Sequence, residues 1–279
     1  MAVKAADVKD LRAKTGAGMM ECKKALEACN GDAKEAEKYL KEKGLAAVEK
    51  RSGRATGEGI IVTKGDSKKL AIVELTCETD FVSGNAEFIA TGSDIVAKVF
   101  DNEYNEVTKD VNDMILELAT RVRENMTVSR IECIKASANE YIASYVHHDK
   151  KSAAFVVLKS DNADALENED VKKFAHGCCL HLVAYTPQYI QRDDVDAEYI
   201  KEQNDIFMQQ VAELDKPEKV KEGIVKGKMN KHLSEICFLD QMFIDDEKVS
   251  VGNKMKELSK SAGGTLSFSK AVLWQLGAK

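Results

Sequence analysis

Four side chains of the kind that bind zinc lie close together in the sequence, at His176, Cys178, Cys179 and His181. A structural zinc ion needs four imidazole or thiolate ligands arranged in a tetrahedron. The surrounding residues 174–185 predict a helix, and helical geometry turns the four side chains toward two different faces, where they cannot close one tetrahedron. We therefore expect no metal here, and a helix packed in the core with its histidines near the edge.

Catalytic motifs are missing from the sequence, which contains no GxGxxG, GxSxG, HExxH or CxxC pattern. Residues 223–228 are similar to a phosphate-binding loop, but their spacing is one residue short, and Met229 stands where a Ser or Thr would bind magnesium. We therefore expect a protein that is not an enzyme, that uses no cofactor and that does not itself hold GTP.

Composition restricts the class of protein further. With 279 residues, of which 44% are hydrophobic, the chain is long enough to form two or more compact units. Its net charge of −6 argues against a protein that coats nucleic acid, because the phosphate backbone requires a basic surface. The basic run at 41–54 is interrupted by Glu42 and Glu49 and has no interleaved aromatic residues, so it predicts a solvated linker.

Hydropathy and cysteine usage indicate the compartment. No apolar run approaches the ~20 residues that a membrane-spanning helix needs, and the N-terminus lacks an apolar signal region. The seven cysteines, an odd number with irregular spacing, are typical of a reducing compartment in which thiols act as small apolar groups. We expect a cytoplasmic protein that does not contact a membrane.

One aromatic residue is predicted to lie on a surface connection. Residues 70–75 have the apolar pattern of a buried strand, whereas Thr79 and Asp80 are poor strand residues that favour a turn or the start of a helix. Phe81 is therefore expected beside a carboxylate on a loop, a combination that suits docking onto another surface. The alternative is that Phe81 fills the protein's own core.

Two segments carry a resemblance to a known family. One is the tetrapeptide TDFV at 79–82, and the other is the long stretch VKDLRAKTGAGMMECKKAL at 8–26. Similarity continues at 145–147 and at 227–251, so it covers nearly the whole chain. The sequence resembles the bacterial translation elongation factor Ts family, whose members are guanine nucleotide exchange factors for elongation factor Tu.

The resemblance implies that this chain binds elongation factor Tu in its GDP-bound and nucleotide-free forms. Asp80 and Phe81, with Thr79 and Val82 beside them, would insert between helices of the GTPase domain and displace the side that coordinates magnesium. GTP would then replace GDP during translation elongation.

The resemblance also assigns contacts to two other regions. Met19 and Met20, after the turn formed by Gly16 and Gly18, would grip another face of the GTPase domain. His147 would contact the partner's other domain region and its phosphate-loop side. As alternatives, both methionines can be ordinary core residues, and His147 can be a hairpin-turn residue without a partner. The turn after this histidine lacks the glycines that are usual in the family.

Residues 1–54 predict a three-helix module that resembles a ubiquitin-associated domain. Two helices at 6–15 and 19–29 flank the glycine-rich turn. Asp32 is predicted to cap a third helix, which ends at Gly44. Such modules bind partners through the turn after the first helix, so this module is expected to contribute binding rather than chemistry.

A glycine-rich linker at 50–59 leads to a duplicated α+β core. A hairpin whose turn carries an Asp and a Lys pair occurs twice, each time followed by a helix that contains Phe. We expect two repeats, each a small antiparallel sheet with helices on one face, at 55–140 and, in two segments, at 141–190 and 229–279. The last segment predicts a helix and then a strand or helix that contains Trp274.

Residues 191–228, which separate the two segments of the second repeat, predict an antiparallel coiled-coil hairpin. Ile200, Phe207 and Leu214 recur every seven residues, and Pro217 breaks the helix. The alternative is a plain pair of surface helices.

Two functions from different classes therefore remain open on the sequence. One is an exchange factor that remodels a GTPase, and the other is a non-catalytic adaptor that tethers a partner through its N-terminal module. An enzyme built on the His and Cys residues is a distant third. Only the exchange factor would accelerate nucleotide release, since tethering does not change the nucleotide site.

Overall fold

The α+β fold contains two antiparallel sheets that pack face to face, with helices on the outer side of each. The computed structural model describes residues 3–278. Its strands, in chain order, are β1 (Glu58–Gly65), β2 (Lys69–Cys77), β3 (Met126–Lys135), β4 (Glu140–Val146), β5 (Ser152–Ser160), β6 (Met242–Phe243), β7 (Asp246–Ser250) and β8 (Leu266–Gln275). Its α-helices are α1 (Ala5–Thr15), α2 (Met19–Ala28), α3 (Ala33–Glu49), α4 (Asp80–Ser83), α5 (Ala86–Asn102), α6 (Lys109–Val122), α7 (Glu169–Tyr185), α8 (Ala197–Ala212), α9 (Glu218–Ile236) and α10 (Val251–Ala262).

Three helices, α1 to α3, form the N-terminal unit around a small core of their own. The Asp32 carboxylate caps α3 by accepting hydrogen bonds from the backbone N–H groups of Lys34 and Glu35, at 2.9 and 3.0 Å. The small volume of this core follows from short apolar faces on α1 and α2. Its buried residues are Val8, Leu11, Cys22, Ala25, Leu26 and Ala36.

The third helix is longer than the sequence predicts. It does not end at Gly44 but continues to Glu49, and Val48 packs into the core of the first sheet. The basic run at 41–54 is therefore helical over most of its length, and its interpretation as a linker was wrong there. The extension forms because its last turn supplies an apolar side chain that the neighbouring core buries.

The first sheet has the strand order β1, β2, β3, with β2 in the middle. Alternate residues of a strand point to opposite faces. Val73 and Leu75 therefore pack toward α5 and α6, whereas Leu70 and Ile72 face the second sheet. Burial on both faces explains why β2 is a nearly continuous apolar run.

The second sheet repeats this arrangement with the order β4, β5, β8. Val156 and Leu158 of the middle strand pack toward α7, whereas Phe155 and Val157 face the first sheet. The C-terminal element that contains Trp274 is the strand β8. Each sheet carries helices on one face, as predicted, and the other face of each is covered by the other sheet.

An apolar layer and the side chain of Arg130 join the two sheets. An ion pair links Arg130 on β3 to Glu74 on β2, with the arginine Nε donating to the carboxylate at 2.9 Å. The same guanidinium lies 4.1 Å from the ring centre of Trp274 and donates to the Gln275 carbonyl at 2.9 Å. The apolar residues between the sheets are Ile61, Leu70, Ile72, Ile134, Ile142, Ala153, Phe155, Val157 and Trp274.

The helices α8 and α9 pack against each other as an antiparallel pair that extends from the second sheet. Val211 and Val225 are buried in their interface, and Lys228 donates to the side chain of Gln210 at 2.6 Å. Leu214, a member of the predicted heptad, is instead exposed in the connection between the two helices. Helix α9 continues to Ile236, past the predicted end of the hairpin at 228.

The cysteine and histidine cluster lies on α7, with both cysteines and His181 buried and His176 exposed. The prediction that both histidines lie near the edge was wrong for His181, whose Nε2 lies 2.9 Å from the side-chain oxygen of Gln241. Burial lowers the pKa of this imidazole, which favours its neutral form. Within residues 3–278, no group of three or more His, Cys, Asp or Glu side chains is arranged to hold a metal ion.

Gly44 lies where the third helix of the N-terminal unit packs against α6. A Cβ atom added to Gly44 would overlap the Cγ2 atom of Thr120 on α6, a β-branched side chain with little freedom to move. We expect Gly44→Ala to destabilise the protein by about 1–3 kcal/mol through this overlap. Urea unfolding at equilibrium measures the change.

Gly223 is the matched control, because it also lies inside a helix but has open space around its Cα. There, the better helix propensity of Ala predicts that Gly223→Ala stabilises the protein by about 0.5–1 kcal/mol. Adding Thr120→Ala should restore much of what Gly44→Ala removes. Equal effects at the two glycines would contradict the close-packing explanation.

Candidate partner-binding site

The tetrapeptide from Thr79 to Val82 forms a projection at the end of β2, which we term the tip. It contains the single-turn helix α4, and only Val82 of that helix is buried. Phe81 is 87% exposed. The alternative that Phe81 fills the core was therefore wrong, because Val82 takes the inward position and turns the phenyl ring toward solvent.

A carboxylate from another part of the chain holds the base of the tip. Glu124, just after α6, accepts a hydrogen bond from the Thr79 backbone N–H at 3.1 Å and one from the Thr79 hydroxyl at 2.7 Å. Hydrogen bonds to an ionised acceptor are stronger than those between neutral groups. Both donors of the first residue of the tip are thus bound by one side chain.

Glu78, the residue before the tip, is bound by Asn125, which directly follows Glu124 in the chain. The Asn125 backbone N–H donates to the Glu78 carboxylate at 2.6 Å, and Arg54 pairs with that carboxylate at 3.3 Å. These contacts, with the Asn125 bond the larger cause, lower the pKa of Glu78. The Asn125 side chain also donates to the carbonyls of Ser52 and Arg54, at 3.2 and 2.7 Å.

The thiol at the end of β2 is inert. Cys77 is fully buried, and its thiol lies 3.2 Å from the Thr79 carbonyl. Burial, followed by the nearby charge of Glu124, raises the pKa of Cys77 to about 12. The thiol is therefore protonated at neutral pH, and nucleophilic chemistry at the base of the tip is disfavoured.

The N-terminal unit presents two methionines at the start of α2. Met20 is 64% exposed and Met19 is 37% exposed, so neither belongs to the core. They follow a turn in which Gly16 has φ = 67°, a left-handed conformation that glycine adopts without steric cost. An unbranched thioether side chain suits an adaptable contact surface.

This turn is attached to Arg123, which lies next to the residues that hold the tip and its base. The Glu21 carboxylate accepts a hydrogen bond from the Gly18 backbone N–H at 3.2 Å and forms an ion pair with Arg123. Arg123 immediately precedes Glu124, which holds the tip. Three consecutive residues, 123–125, therefore bind the methionine turn, the tip and the segment that joins α3 to β1.

The third predicted contact residue, His147, lies in the tight turn between β4 and β5. It is half-buried, with its Nδ1 atom 3.1 Å from the hydroxyl of Tyr145. Its backbone N–H donates to the Ser152 carbonyl at 2.9 Å. The turn closes without glycine because Lys150 adopts φ = 58°, so the departure from the family's glycine-rich pattern leaves a regular hairpin.

The His147 turn lies beside the tip. The Lys150 carbonyl accepts a hydrogen bond from the Ile61 backbone N–H at 2.7 Å, across the edge of the first sheet. Lys151 pairs with Glu58 on β1 at 2.7 Å. This pair, with smaller contributions from the Asp149 and Asp80 carboxylates, raises the pKa of Lys151. Glu58 lies opposite Cys77 in the register of β1 and β2, so the turn lies at the end of the first sheet from which the tip projects.

Comparison with known proteins assigns this arrangement to a family. A family model described as Elongation factor TS matches residues 78–278. The elongation factor Ts of Treponema denticola is 62% identical over 99% of both chains, and that of Treponema pallidum (strain Nichols) is 51% identical over 100% of both. The elongation factor Ts of Borreliella burgdorferi is 36% identical over 97% of this chain and 98% of its own length.

The chain belongs to the elongation factor Ts family. It is accordingly a nucleotide exchange factor for elongation factor Tu and acts in translation elongation. The family match begins at Glu78, directly before the tip, whereas the similarity to the Treponema proteins also includes the N-terminal helices. None of the helices within residues 3–278 is both long enough and apolar enough to cross a membrane.

The sequence predicted the exposed residues of this family member but missed the residues that hold them. Glu124 and Arg123 gave no signal, because each binds a partner that is distant in sequence and neither lies in a recognisable motif. Lys151 belongs to the repeated lysine pair of the hairpin turn, but that repeat did not indicate its partner Glu58. The charged residues after α6 look like an ordinary helix end. The left-handed conformation of Arg123, with φ = 70°, is the feature that turns the chain there.

Two phenylalanines near the tip provide a stability test. We expect Phe81→Ala to change the free energy of unfolding by less than about 0.5 kcal/mol, because its ring is already in solvent. Phe88 is fully buried on α5, and Phe88→Ala should cost about 3–5 kcal/mol. Chemical denaturation of both variants gives the comparison, and similar losses would mean that Phe81 packs in the core.

Proposed function

We propose that the tip releases GDP by displacing the part of elongation factor Tu that coordinates magnesium. One observation carries this proposal: Phe81 is exposed on a single-turn helix whose base is bound by the carboxylate of Glu124. A large apolar side chain that is held outward gains free energy only by entering a pocket on another molecule.

Magnesium coordination makes a small displacement sufficient. In a P-loop GTPase, the ion bridges phosphate oxygens and is held by a Ser or Thr and an Asp. Magnesium requires near-octahedral contacts at about 2.0–2.1 Å, so a shift on the order of 1 Å in its protein ligands weakens GDP binding strongly. Phe81 and Asp80 would supply that shift by inserting between helices of the GTPase domain.

The other exposed residues fit a supporting role in the same complex. Met19 and Met20, after the turn at Gly16 and Gly18, would contact a second face of the GTPase domain. His147 would contact the phosphate-loop side, since its turn lies at the same end of the first sheet as the tip. Thr79 and Val82 would set the direction of the tip rather than enter the partner, because their side chains point to Glu124 and to the core.

The separate units of the chain fit separate roles in binding and exchange. We infer a ubiquitin-associated-like binding module at 1–54, a first core repeat at 55–140 and a second at 141–190 and 229–279. The helix pair at 191–228 would act as a coiled-coil arm, with the two helices packed only on each other over most of their length. The close contact of Gly44 with Thr120 would hold the first module in place.

We further infer that the chain works in the cytoplasm, without membrane or nucleic-acid contacts and without enzymatic chemistry or a cofactor of its own. It would bind elongation factor Tu both with GDP and without nucleotide. An adaptor that only tethers its partner is a weaker alternative, because the family is one of exchange factors and the exposed tip would have no purpose in tethering.

The first functional prediction concerns Phe81. Phe81→Ala should lower the rate of stimulated GDP release from elongation factor Tu by at least about tenfold, because a buried interface aromatic contributes ~2 kcal/mol or more. Release of a fluorescent GDP analogue in stopped flow measures this rate. Met242→Ala is the control, since that side chain is also exposed but lies on β6. Equal release by both variants would exclude the tip from exchange.

The second functional prediction concerns linkage. If the tip lowers the partner's affinity for GDP and magnesium, then GDP with magnesium must lower the partner's affinity for this chain by the same factor. Titrating both into the preformed binary complex should therefore dissociate it. The double variant Asp80→Ala, Phe81→Ala should show a smaller effect of nucleotide on the dissociation constant, measured by calorimetry. An affinity that saturating GDP and magnesium leave unchanged would contradict the mechanism.

A further inference from the structure

Three consecutive residues after α6 each bind a different functional segment. Arg123 pairs with Glu21 behind the methionine turn, Glu124 binds both donors of Thr79, and Asn125 binds Glu78 and the segment before β1. None of these residues carries an exposed apolar group that would itself enter a partner. Their contacts all lead to residues that precede or carry the exposed side chains.

We propose that Glu124 is a positioning residue for nucleotide exchange, which acts by fixing the direction in which Phe81 leaves the fold. This inference rests on the proposed function of the tip. Glu124 acts through its two bonds to Thr79 within this chain. It orders the single-turn helix before the partner arrives, so that binding does not have to spend free energy on ordering the tip.

The tip has few other contacts that fix its direction. Helix α4 has four residues, and Val82 is the only one that is buried. The phenyl ring of Phe81 lies in solvent and cannot fix its own backbone. Besides Val82, the two bonds from Thr79 to Glu124 are side-chain contacts that attach the tip to the rest of the fold.

The side chain of Thr79 is used in an unusual way. At the N-cap position, a Thr hydroxyl normally accepts a hydrogen bond from a backbone N–H of the first helical turn. Here Thr79 makes no such cap bond, and its hydroxyl donates to Glu124 at 2.7 Å instead. The short helix therefore has no side-chain N-cap, and the Thr79 hydroxyl instead attaches it to Glu124, just after α6.

The carboxylate itself is held in place from its own side. Arg123, the residue before Glu124, adopts the left-handed conformation that ends α6, and Asn125, the residue after it, is buried and bound to two backbone carbonyls. Glu124 thus lies between two fixed residues. Its contact with Thr79 spans 45 residues of sequence, which ties the tip to the helix layer of the first sheet.

Replacing Glu124 with Gln tests the proposal with almost no change in size. The amide oxygen can still accept from the Thr79 N–H, but the NH2 group must donate to the Thr79 hydroxyl instead of accepting from it, so both bonds lose their ionised acceptor. We expect the GDP release rate at saturating factor to fall about tenfold, while the half-saturating concentration changes by less than about threefold. The rate falls more than the half-saturating concentration changes, because the methionines and His147 still contribute to binding of the partner. Thr79→Val, which removes only the hydroxyl donor, should lower the same rate less.

A double-variant cycle separates positioning from a general structural role. If Glu124 acts through Phe81, then Glu124→Gln should cause no further loss in a Phe81→Ala background. Glu117→Gln is the matched control, because Glu117 is an exposed carboxylate on α6, the helix that ends just before Glu124. Thermal melts of every variant correct the release rates for the folded fraction.

Each outcome decides the matter. An additive loss in the double variant, or a loss in Glu124→Gln that follows only the folded fraction, would overturn the positioning role. Normal release by Glu124→Gln together with impaired release by Phe81→Ala would overturn it as well, and would leave the proposed function of the tip intact. Normal release by Phe81→Ala would instead remove the proposed function itself. If Glu124→Gln does not fold, the same cycle with Thr79→Val gives the answer.

Discussion

Face-to-face packing of the two sheets is the constraint on which the rest of the molecule depends. Sheets in a sandwich lie about 10 Å apart, and their facing side chains must interdigitate. Phe155 and Ile72 supply the apolar layer, and Arg130 adds an ion pair with Glu74 and a stacking contact with Trp274. Because β8 provides that tryptophan, the last strand of the chain is part of the contact between the two sheets.

The functional residues are placed by this packing. The tip follows β2 in the first sheet, and His147 lies in the hairpin of the second, so only the sandwich brings them to the same end of the molecule. The hydrogen bond from Ile61 to Lys150 and the ion pair of Glu58 with Lys151 join the two at the sheet edge. The corner at 123–125 then adds the methionine turn of the N-terminal unit as a third part of the same assembly.

The sequence predicted helices and strands correctly where apolar periodicity or a capping residue alone decided the local structure. The middle strands, the helix with the cysteine pair and the cap at Asp32 all lie where apolar periodicity and capping chemistry indicate. The predictions failed where distant residues decided the result. Helix α3 continues past Gly44 because the core of the first sheet buries Val48, and His181 is buried because Gln241 supplies a hydrogen bond from another segment.

The sequence by itself determined the family and the α+β class, and its Thr-Asp pair placed Phe81 after the end of a strand. The structure decided that Phe81 is exposed, because Val82 takes the inward position. The sequence did not determine what holds Phe81 in place. Glu124, Arg123 and Lys151 act through single charged contacts with residues far away in the chain, and such contacts leave no periodicity or motif. Only the tertiary structure decided them, because a hydrogen bond depends on distance in space and not on spacing in sequence.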